Sequence, residues 1–450
     1  MGYYRDDWPK MQDSSDFDGR QTLTLARSGR SPFRKEWDVM LLVREIEENL
    51  HSQVVEIPFV YHGSNNYGFH IQLSNRPDVI ARLARGDVNM PGFSGLSIDA
   101  QIPEVKFEAA TYELFHSEPG ILASRLLYHR IPRQHDGPRL QHPQDITGRR
   151  LLVFEKAEGE SEVWHDLDQA QRVASLLAQS ARIRAALFNY QLPLEFAAAW
   201  LRERLFEHKP KSLPLPVAPT REFWVALFTA KINATIRNIG DMIGWESDNE
   251  TVGPIAAAAK QSLLRLIPLM MPMDNDQTDL YRLVLEHGDF GIHNMSITMD
   301  ASNEPLVTSV FDWETGCIVP AILSDPLMAV TVDLVADEDA APSTTLVNSD
   351  ATPSNREEYM TWARQYIEPL FHHAPEYERA IKAGKDARHL WFALRDWRGE
   401  DPEGYFGDLG TWAERRIKEL AASNWPLRST EVKWRLNHQN SEAEGTLRGL

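Results

Sequence analysis

Apolar and polar positions alternate with a period of two in several short stretches of the front third of the chain. Positions 54–60 are rich in β-branched residues, and positions 67–73 alternate aromatic or aliphatic with polar side chains across a Gly63-Ser-Asn-Asn66 break. Positions 79–83 follow an Asn75-Arg-Pro77 turn, and 125–131 and 151–155 repeat the extended pattern. These spacings predict five strands. A helical period appears at 34–50, through Trp37, Leu41, Leu42, Ile46 and Leu50, and again at 105–115 behind Pro103. After Gly159 the period becomes helical over long stretches: 166–188, 195–206, 221–239, 255–269, and from 358 to about 422. Three further strands are expected at 284–286, 294–299 and 307–311, the last two joined by the turn Asp300-Ala-Ser-Asn-Glu-Pro305.

This pattern divides the chain into an N-terminal tail and helix (1–50), a small sheet region carrying at least one helix (51–157), a mainly helical region (158–422) and a polar C-terminal tail (423–450). Residues 1–32 are polar and expected to be loosely held, as are 424–450; 132–149 reads as a loop and 336–358 as a mobile one. Asp325-Pro326 is expected to start a helix. The most apolar stretch, 252–273, is interrupted by Lys260 and Arg265 and reads as a buried helix, not a membrane span.

Composition narrows the partners. With 47 Lys and Arg against 65 Asp and Glu, the net charge is −18, which disfavours nucleic acid and anionic membrane surfaces. The single cysteine, Cys317, excludes an intrachain disulfide framework and cysteine-based zinc modules. The first residues lack the apolar run of a signal peptide, so a reducing, cytoplasmic setting is expected.

One segment carries candidate chemistry: Leu283-Val-Leu-Glu-His-Gly-Asp-Phe-Gly-Ile-His-Asn294, followed by Val310-Phe-Asp-Trp-Glu314. Phosphoryl transfer needs a carboxylate to orient an attacking hydroxyl and oxygen ligands for Mg²⁺, which neutralises the triphosphate. Asp289 offers the carboxylate. Asn294, five positions on, offers an amide oxygen, and Asp312 returns from the far side of the predicted hairpin.

His-Gly-Asp-x₄-Asn followed by Phe-Asp-Trp-Glu resembles the catalytic and metal-binding motifs of the aminoglycoside phosphotransferase/choline kinase family, in a fungal-type form. The resemblance runs over about residues 55–330. It implies an α+β, bilobal protein-kinase-like fold: a small antiparallel-sheet, nucleotide-binding N-lobe and a larger, mainly helical C-lobe. It implies ATP and Mg²⁺ as cofactors and a small-molecule hydroxyl as acceptor, with Asp289 as base and Asn294 and Asp312 as metal ligands. Gly63, Ser64 and Asn66 fall in the short nucleotide loop. Arg82 falls where a strand-borne cation holds phosphates, and Glu108 where a helix carboxylate pairs with it. Glu155 and Ala157 fall at the hinge that meets adenine.

The phosphate-holding position carries Arg82, not Lys, and Arg85 is an alternative register. His287 is expected to brace the loop and His293 to be a packing or solvent-facing residue. Glu314 is expected either to meet a second metal ion or to brace the site. Glu158, Glu160, Glu162, Asp166 and Asp168 hint at a cationic acceptor or form a solvated helix start. Trp391 and Trp397 read as core. The rival function is a catalytically silent kinase-like binding module.

Overall fold

The computed structural model describes every residue except 1–4, 12, 136–144, 162, 168–169, 206–207, 237–249, 274–278, 398, 400 and 424–450. The expectations for the C-terminal tail, for Phe206, for the end of the helix at 237–239 and for most of the 132–149 loop lie outside the described residues.

The chain opens with α1 (Thr22–Arg27), a short 3₁₀ turn (Pro32–Lys35) and α2 (Val39–Leu50). Asp38 caps α2, accepting a hydrogen bond from the Met40 N–H at 2.9 Å, so the helix begins five residues later than the periodicity predicts. Then come β1 (Val54–His62), β2 (Asn66–Leu73), β3 (Val79–Ala84), α3 (Ile98–Phe115), β4 (Leu126–Arg130) and β5 (Leu151–Glu155). The five strands form one antiparallel sheet in the order β1-β2-β3-β5-β4. Inward positions on β2 and β3 alternate strictly, as a half-buried sheet requires.

The expectation of a loosely held segment at 1–32 is overturned. Phe17, Leu23, Phe33 and Trp37 share one apolar core with α2 and the face of the sheet. Asp6 is 2% exposed and paired to Arg149, itself 1% exposed. Few apolar residues anchor this arm, and a buried ion pair does not show in a hydrophobic pattern. Helix α3 also begins earlier than expected: Ser97 caps it by accepting from Ala100 N, and Pro103 lies inside the helix. Proline usually marks the first turn, and here it sits in the second.

The second region contains α4 (Ala170–Asn189), α5 (Leu194–Trp200), α6 (Arg221–Thr235) and α7 (Val252–Met270). The strands β6 (Leu283–Glu286), β7 (Met295–Met299), β8 (Pro305–Val310) and β9 (Cys317–Pro320) follow, pairing as β6·β9 and β7·β8, both antiparallel. Asp325-Pro326 does not start a helix: the Asp325 carboxylate caps a turn at Leu327 N (3.3 Å) that leads into β10 (Met328–Ala329). Nor is 336–358 a mobile loop. β11 (Asp333–Ala336) pairs with β12 (Pro342–Thr345), and Thr352 with Asn355 forms a capping box that starts α8 (Pro353–His373). The run of Ser and Thr that suggests mobility supplies β-branched strand positions and a helix cap instead. α9 (Pro375–Ala383), α10 (Lys385–Asp396) and α11 (Pro402–Ser423) complete the chain. This region, together with α3 and Phe154 of β5, forms the larger apolar core, which includes Trp391 and Trp397. Among the described residues no helix is long and apolar enough to cross a membrane.

Candidate active site

His287 is the first polar residue after the fully buried strand β6, and it is itself fully buried. Its Nε2 lies 2.8 Å from the Phe311 carbonyl, and the Asp289 N–H points to its Nδ1 at 3.4 Å. Burial pulls its pKa down to about 4, so the ring is neutral and donates through Nε2. The ring thereby ties the Asp289 loop to the loop carrying Asp312. Gly288 makes the close approach possible: φ is +83°, and a Cβ there would lie 2.2 Å from the Thr315 carbonyl oxygen.

Asp289 projects from this loop with half of its side chain exposed. Its Oδ2 is 3.1 Å from His293 Nε2 and accepts from Asn294 Nδ2 at 3.1 Å. The same Asn294 amide donates to the Asp289 carbonyl at 2.9 Å. Both amide hydrogens therefore point inward, which leaves Oδ1 of Asn294 as an acceptor. The His293 contact is the main reason the Asp289 pKa is lowered, against the opposing effect of burial. Sequence reasoning reads His293 as a bystander; the structure makes it the partner of Asp289.

Asp312 follows β8 with φ +68° and ψ +56°, a left-handed conformation uncommon for a residue with a side chain. Its N–H donates to the Tyr112 hydroxyl at 3.1 Å. Its Oδ1 accepts from Arg82 Nη2 at 2.8 Å, while Arg82 Nη1 donates to Glu108 Oε1 at 3.0 Å. Glu108 is fully buried. Burial works against the Arg82 charge, but Asp312 and then Glu108 outweigh it, so the guanidinium is held charged well above its usual range. The register question therefore has an answer in the geometry. Arg82 meets Glu108, whereas Arg85 turns away to the Asp6 carbonyl and, at 3.0 Å, the Gly63 carbonyl. Glu314 makes bracing contacts: its Oε2 accepts from Arg150 at 2.7 Å and lies 3.9 Å from Arg82. Arg150 and Tyr112 escape sequence reasoning because neither lies in a motif.

Arg82, Asp289, His293, Asn294, Asp312 and Glu314 line a cleft of about 810 Å³. Its roof is the Gly63–Asn66 turn, where a Cβ on Gly63 would meet the Asn66 carbonyl at 2.6 Å. Ser64 and Asn66 line it, and Asn66 Oδ1 is 3.5 Å from Arg150. Glu155 and Ala157 lie at its rear. The Glu155 N–H is occupied by the Arg125 carbonyl at 2.9 Å, whereas the Ala157 N–H makes no hydrogen bond among the described residues. Glu160 faces this same cleft, where Tyr61 donates to it at 3.3 Å. Glu162 and Asp168 lie outside the described residues. A second cavity, of about 650 Å³, shares Glu314 and Thr315 with the first and is lined by Gly288 and Phe290, the neighbours of Asp289.

Oxygen donors suit a hard cation such as Mg²⁺. Asn294 Oδ1 and the second Asp312 oxygen meet that need; no cluster of three or more His, Cys, Asp or Glu able to hold a metal exists among the described residues. Two protein oxygens with the remaining positions filled by phosphate and water is the usual manner of Mg²⁺ in nucleotide sites.

The fold as a whole can be compared with solved structures. The chain is similar to aminoglycoside phosphotransferases. The ADP-bound APH(2'')-Ib matches at 11% identity over 83% of this chain and 97% of that one, with a TM-score of 0.41. The streptomycin–ATP ternary complex of APH(2")-IIa matches at 10% identity over 85% and 95%, with a TM-score of 0.40. APH(4)-Ia with AMP-PNP and hygromycin B matches at 14% over 85% and 98%, with a TM-score of 0.36. No family model and no curated protein matches the chain.

Proposed function

We propose that the protein is a bilobal, kinase-like phosphotransferase that moves the γ-phosphoryl group of ATP to a hydroxyl of a small molecule. The observation that supports this reading is the convergence of Asp289, Asn294, Asp312 and the Arg82–Glu108 pair on one cleft, from four separate stretches of the sequence. Adenine would lie against the open Ala157 N–H, with the Gly63, Ser64 and Asn66 turn over the phosphates. Arg82, kept charged and aimed by Glu108, would hold phosphate oxygens. Asn294 and Asp312 would hold Mg²⁺, which supplies charge neutralisation on the triphosphate.

Asp289 would orient the acceptor hydroxyl. The acceptor oxygen bonds to the γ-phosphorus, the bond from that phosphorus to the β-bridging oxygen breaks, ADP leaves, and the hydroxyl proton passes to Asp289 and then to water. An ionised carboxylate with a lowered pKa is a weak base, so its contribution is positioning in a loose transition state. Net charge of −18 cannot draw ATP in; local cations and backbone N–H groups must do so.

A screen for Mg²⁺-dependent ATP consumption over hydroxyl compounds tests this, with Asp289→Asn as control. Phosphorylated product from the wild type and none from the variant is the expected result. Nucleotide binding without transfer to any acceptor would favour the silent binding module, and no nucleotide binding at all would sink both.

A further inference from the structure

The loop that carries Asp312 is gripped from behind by a residue outside every motif. Asp312 has φ +68° and ψ +56°, and such a backbone persists only where its surroundings over-determine it. On the cleft side its carboxylate is tied to Arg82. A metal ion would claim that carboxylate and release the tie, so other contacts must then keep the loop in place.

Helix α3 supplies one set of them. Glu108, Tyr112 and Phe115 recur at helical spacing on one face. Glu108 holds Arg82, the Tyr112 hydroxyl accepts from the Asp312 N–H at 3.1 Å, and Phe115 packs on Trp313 with centroids 4.9 Å apart.

Arg204 supplies the other. It lies in the turn after α5, where its N–H donates to the Trp200 carbonyl at 3.0 Å and so continues the helical row Phe196, Trp200, Arg204. All three side chains meet the fully buried Phe107 of α3. The aromatic centroids lie 6.1 and 5.8 Å from its ring, and the Arg204 guanidinium lies 4.3 Å over it. From that position Nε donates to the Gly316 carbonyl at 2.8 Å and Nη2 to the Glu314 carbonyl. A planar fork can hold two alternate carbonyls while lying flat on a ring; lysine offers a single nitrogen. Arg204 lines the second cavity and not the nucleotide cleft, so it reaches the loop from the side away from the phosphates.

We infer that Arg204 is a positioning residue for the metal ligand. Seated on Phe107, it clamps the Glu314 and Gly316 carbonyls and keeps Asp312 aimed into the cleft once Mg²⁺ takes the carboxylate from Arg82. It acts through Asp312 and touches neither metal nor nucleotide. The role of the metal rests on the phosphotransferase reading; the clamp on the loop does not. Groups that orient a metal ligand in this way are worth about ten- to a hundredfold in metal affinity.

The test uses the full chain and two readouts. The first needs no ligand: deuterium uptake at 312–317 in the nucleotide-free protein should rise in Arg204→Met, while uptake in the 62–66 turn stays as in the wild type. The second is binding of a non-hydrolysable ATP analogue over a series of Mg²⁺ concentrations and in EDTA. In Arg204→Met the affinity in EDTA should hold, and the Mg²⁺ needed for half-saturation should rise about ten- to a hundredfold. A general loss of packing would weaken both affinities alike.

Arg204→Lys, which keeps the charge and loses the fork, should fall between wild type and Arg204→Met. Phe107→Leu keeps an apolar filling, loses the ring face and should shift the Mg²⁺ requirement in the same sense by less; these two variants decide the matter if Arg204→Met does not fold. Asp312→Asn is the control, and its Mg²⁺ requirement should rise. If it does not, the metal assignment and the phosphotransferase reading fail, and the deuterium readout alone decides whether Arg204 holds the loop. Unchanged uptake at 312–317, or an unchanged Mg²⁺ requirement beside a raised one in Asp312→Asn, would overturn the inference.

Discussion

Arg82 donates to Asp312 at 2.8 Å across the cleft, although the two residues are 230 positions apart in sequence. The same guanidinium holds Glu108 on its other side. The proposed phosphate ligand and the proposed metal ligand therefore satisfy each other directly. Mg²⁺ with a triphosphate would replace one contact by two, the phosphate taking Arg82 and the metal taking Asp312, while the Glu108 contact persists.

Removal of Arg82 leaves the fully buried Glu108 carboxylate without its partner. Arg82→Met is expected to destabilise the protein by about 3–5 kcal/mol, the usual cost of stranding one member of a buried ion pair. The double variant Arg82→Met/Glu108→Leu should recover most of that loss, because the stranded charge is gone. Both variants should lose nucleotide affinity. Chemical denaturation of the four members of the cycle measures the coupling; equal stability of wild type and Arg82→Met would contradict it.

Asp289 is half exposed and its partners all lie in its own loop, so Asp289→Asn should leave the melting temperature unchanged while kcat falls about a thousandfold. The pH dependence separates Asp289 from its neighbour. Because the His293 contact holds the Asp289 pKa down, His293→Ala should let it rise towards the ordinary carboxylate value. Activity needs the carboxylate ionised, so the acid limb of the kcat/KM profile should move to higher pH in that variant. An acid limb that stays put would show that His293 does not tune the base.

Most of this site is legible in the sequence because its chemistry is concentrated in short spacings. Asp289, Asn294 and Asp312 lie on two segments joined by a hairpin, and turn composition predicts that hairpin. The five strands are also legible: β1 is rich in β-branched residues, β2 and β3 alternate, and β4 and β5 begin as short apolar runs. What sequence reading misses are partnerships made only by folding. Arg150 on Glu314, Tyr112 under Asp312 and His293 on Asp289 each need three-dimensional proximity that no spacing encodes. The N-terminal arm is missed for a different reason: its apolar anchors, Phe17 and Leu23, are scattered among polar residues, and polar composition reads as solvation.

That arm can be tested. Asp6 pairs with Arg149 at 2.7 Å and its carbonyl accepts from Arg85 Nε at 2.9 Å. Arg85 in turn holds the Gly63 carbonyl, and Arg5 donates to the Ser64 carbonyl at 2.9 Å. Trp8 covers the His62 ring, with centroids 4.5 Å apart. A chain lacking the first eight residues loses the contacts made by Arg5, Asp6 and Trp8 and leaves Arg149 buried without Asp6. It should lose about 3–5 kcal/mol of stability. Deuterium uptake at 62–66 should rise by more than local position explains, and nucleotide affinity should fall with it. Unchanged uptake in the turn would show that the arm supports the core without holding the roof of the cleft.

His287 gives a pH signature that does not depend on activity. Its pKa is about 4 in the folded protein against an ordinary value of 6.5, through burial. Between those values the unfolded chain binds a proton that the folded protein does not. Unfolding is therefore favoured as pH falls: the stabilisation is complete above 6.5 and drains away down to about 4. The difference corresponds to about 3 kcal/mol. Carboxylates elsewhere also titrate at the acid end, so the informative quantity is the difference between wild type and His287→Gln, which keeps a donor for the Phe311 carbonyl and removes the titration. Denaturation at a series of pH values should show the wild type losing stability faster than the variant over that window. Parallel curves would mean that the imidazole is already charged in the folded state. The Phe311 carbonyl would still accept from such a ring, but the Asp289 N–H would then face a second donor at Nδ1, and the loop could not keep the geometry that aims Asp289 into the cleft.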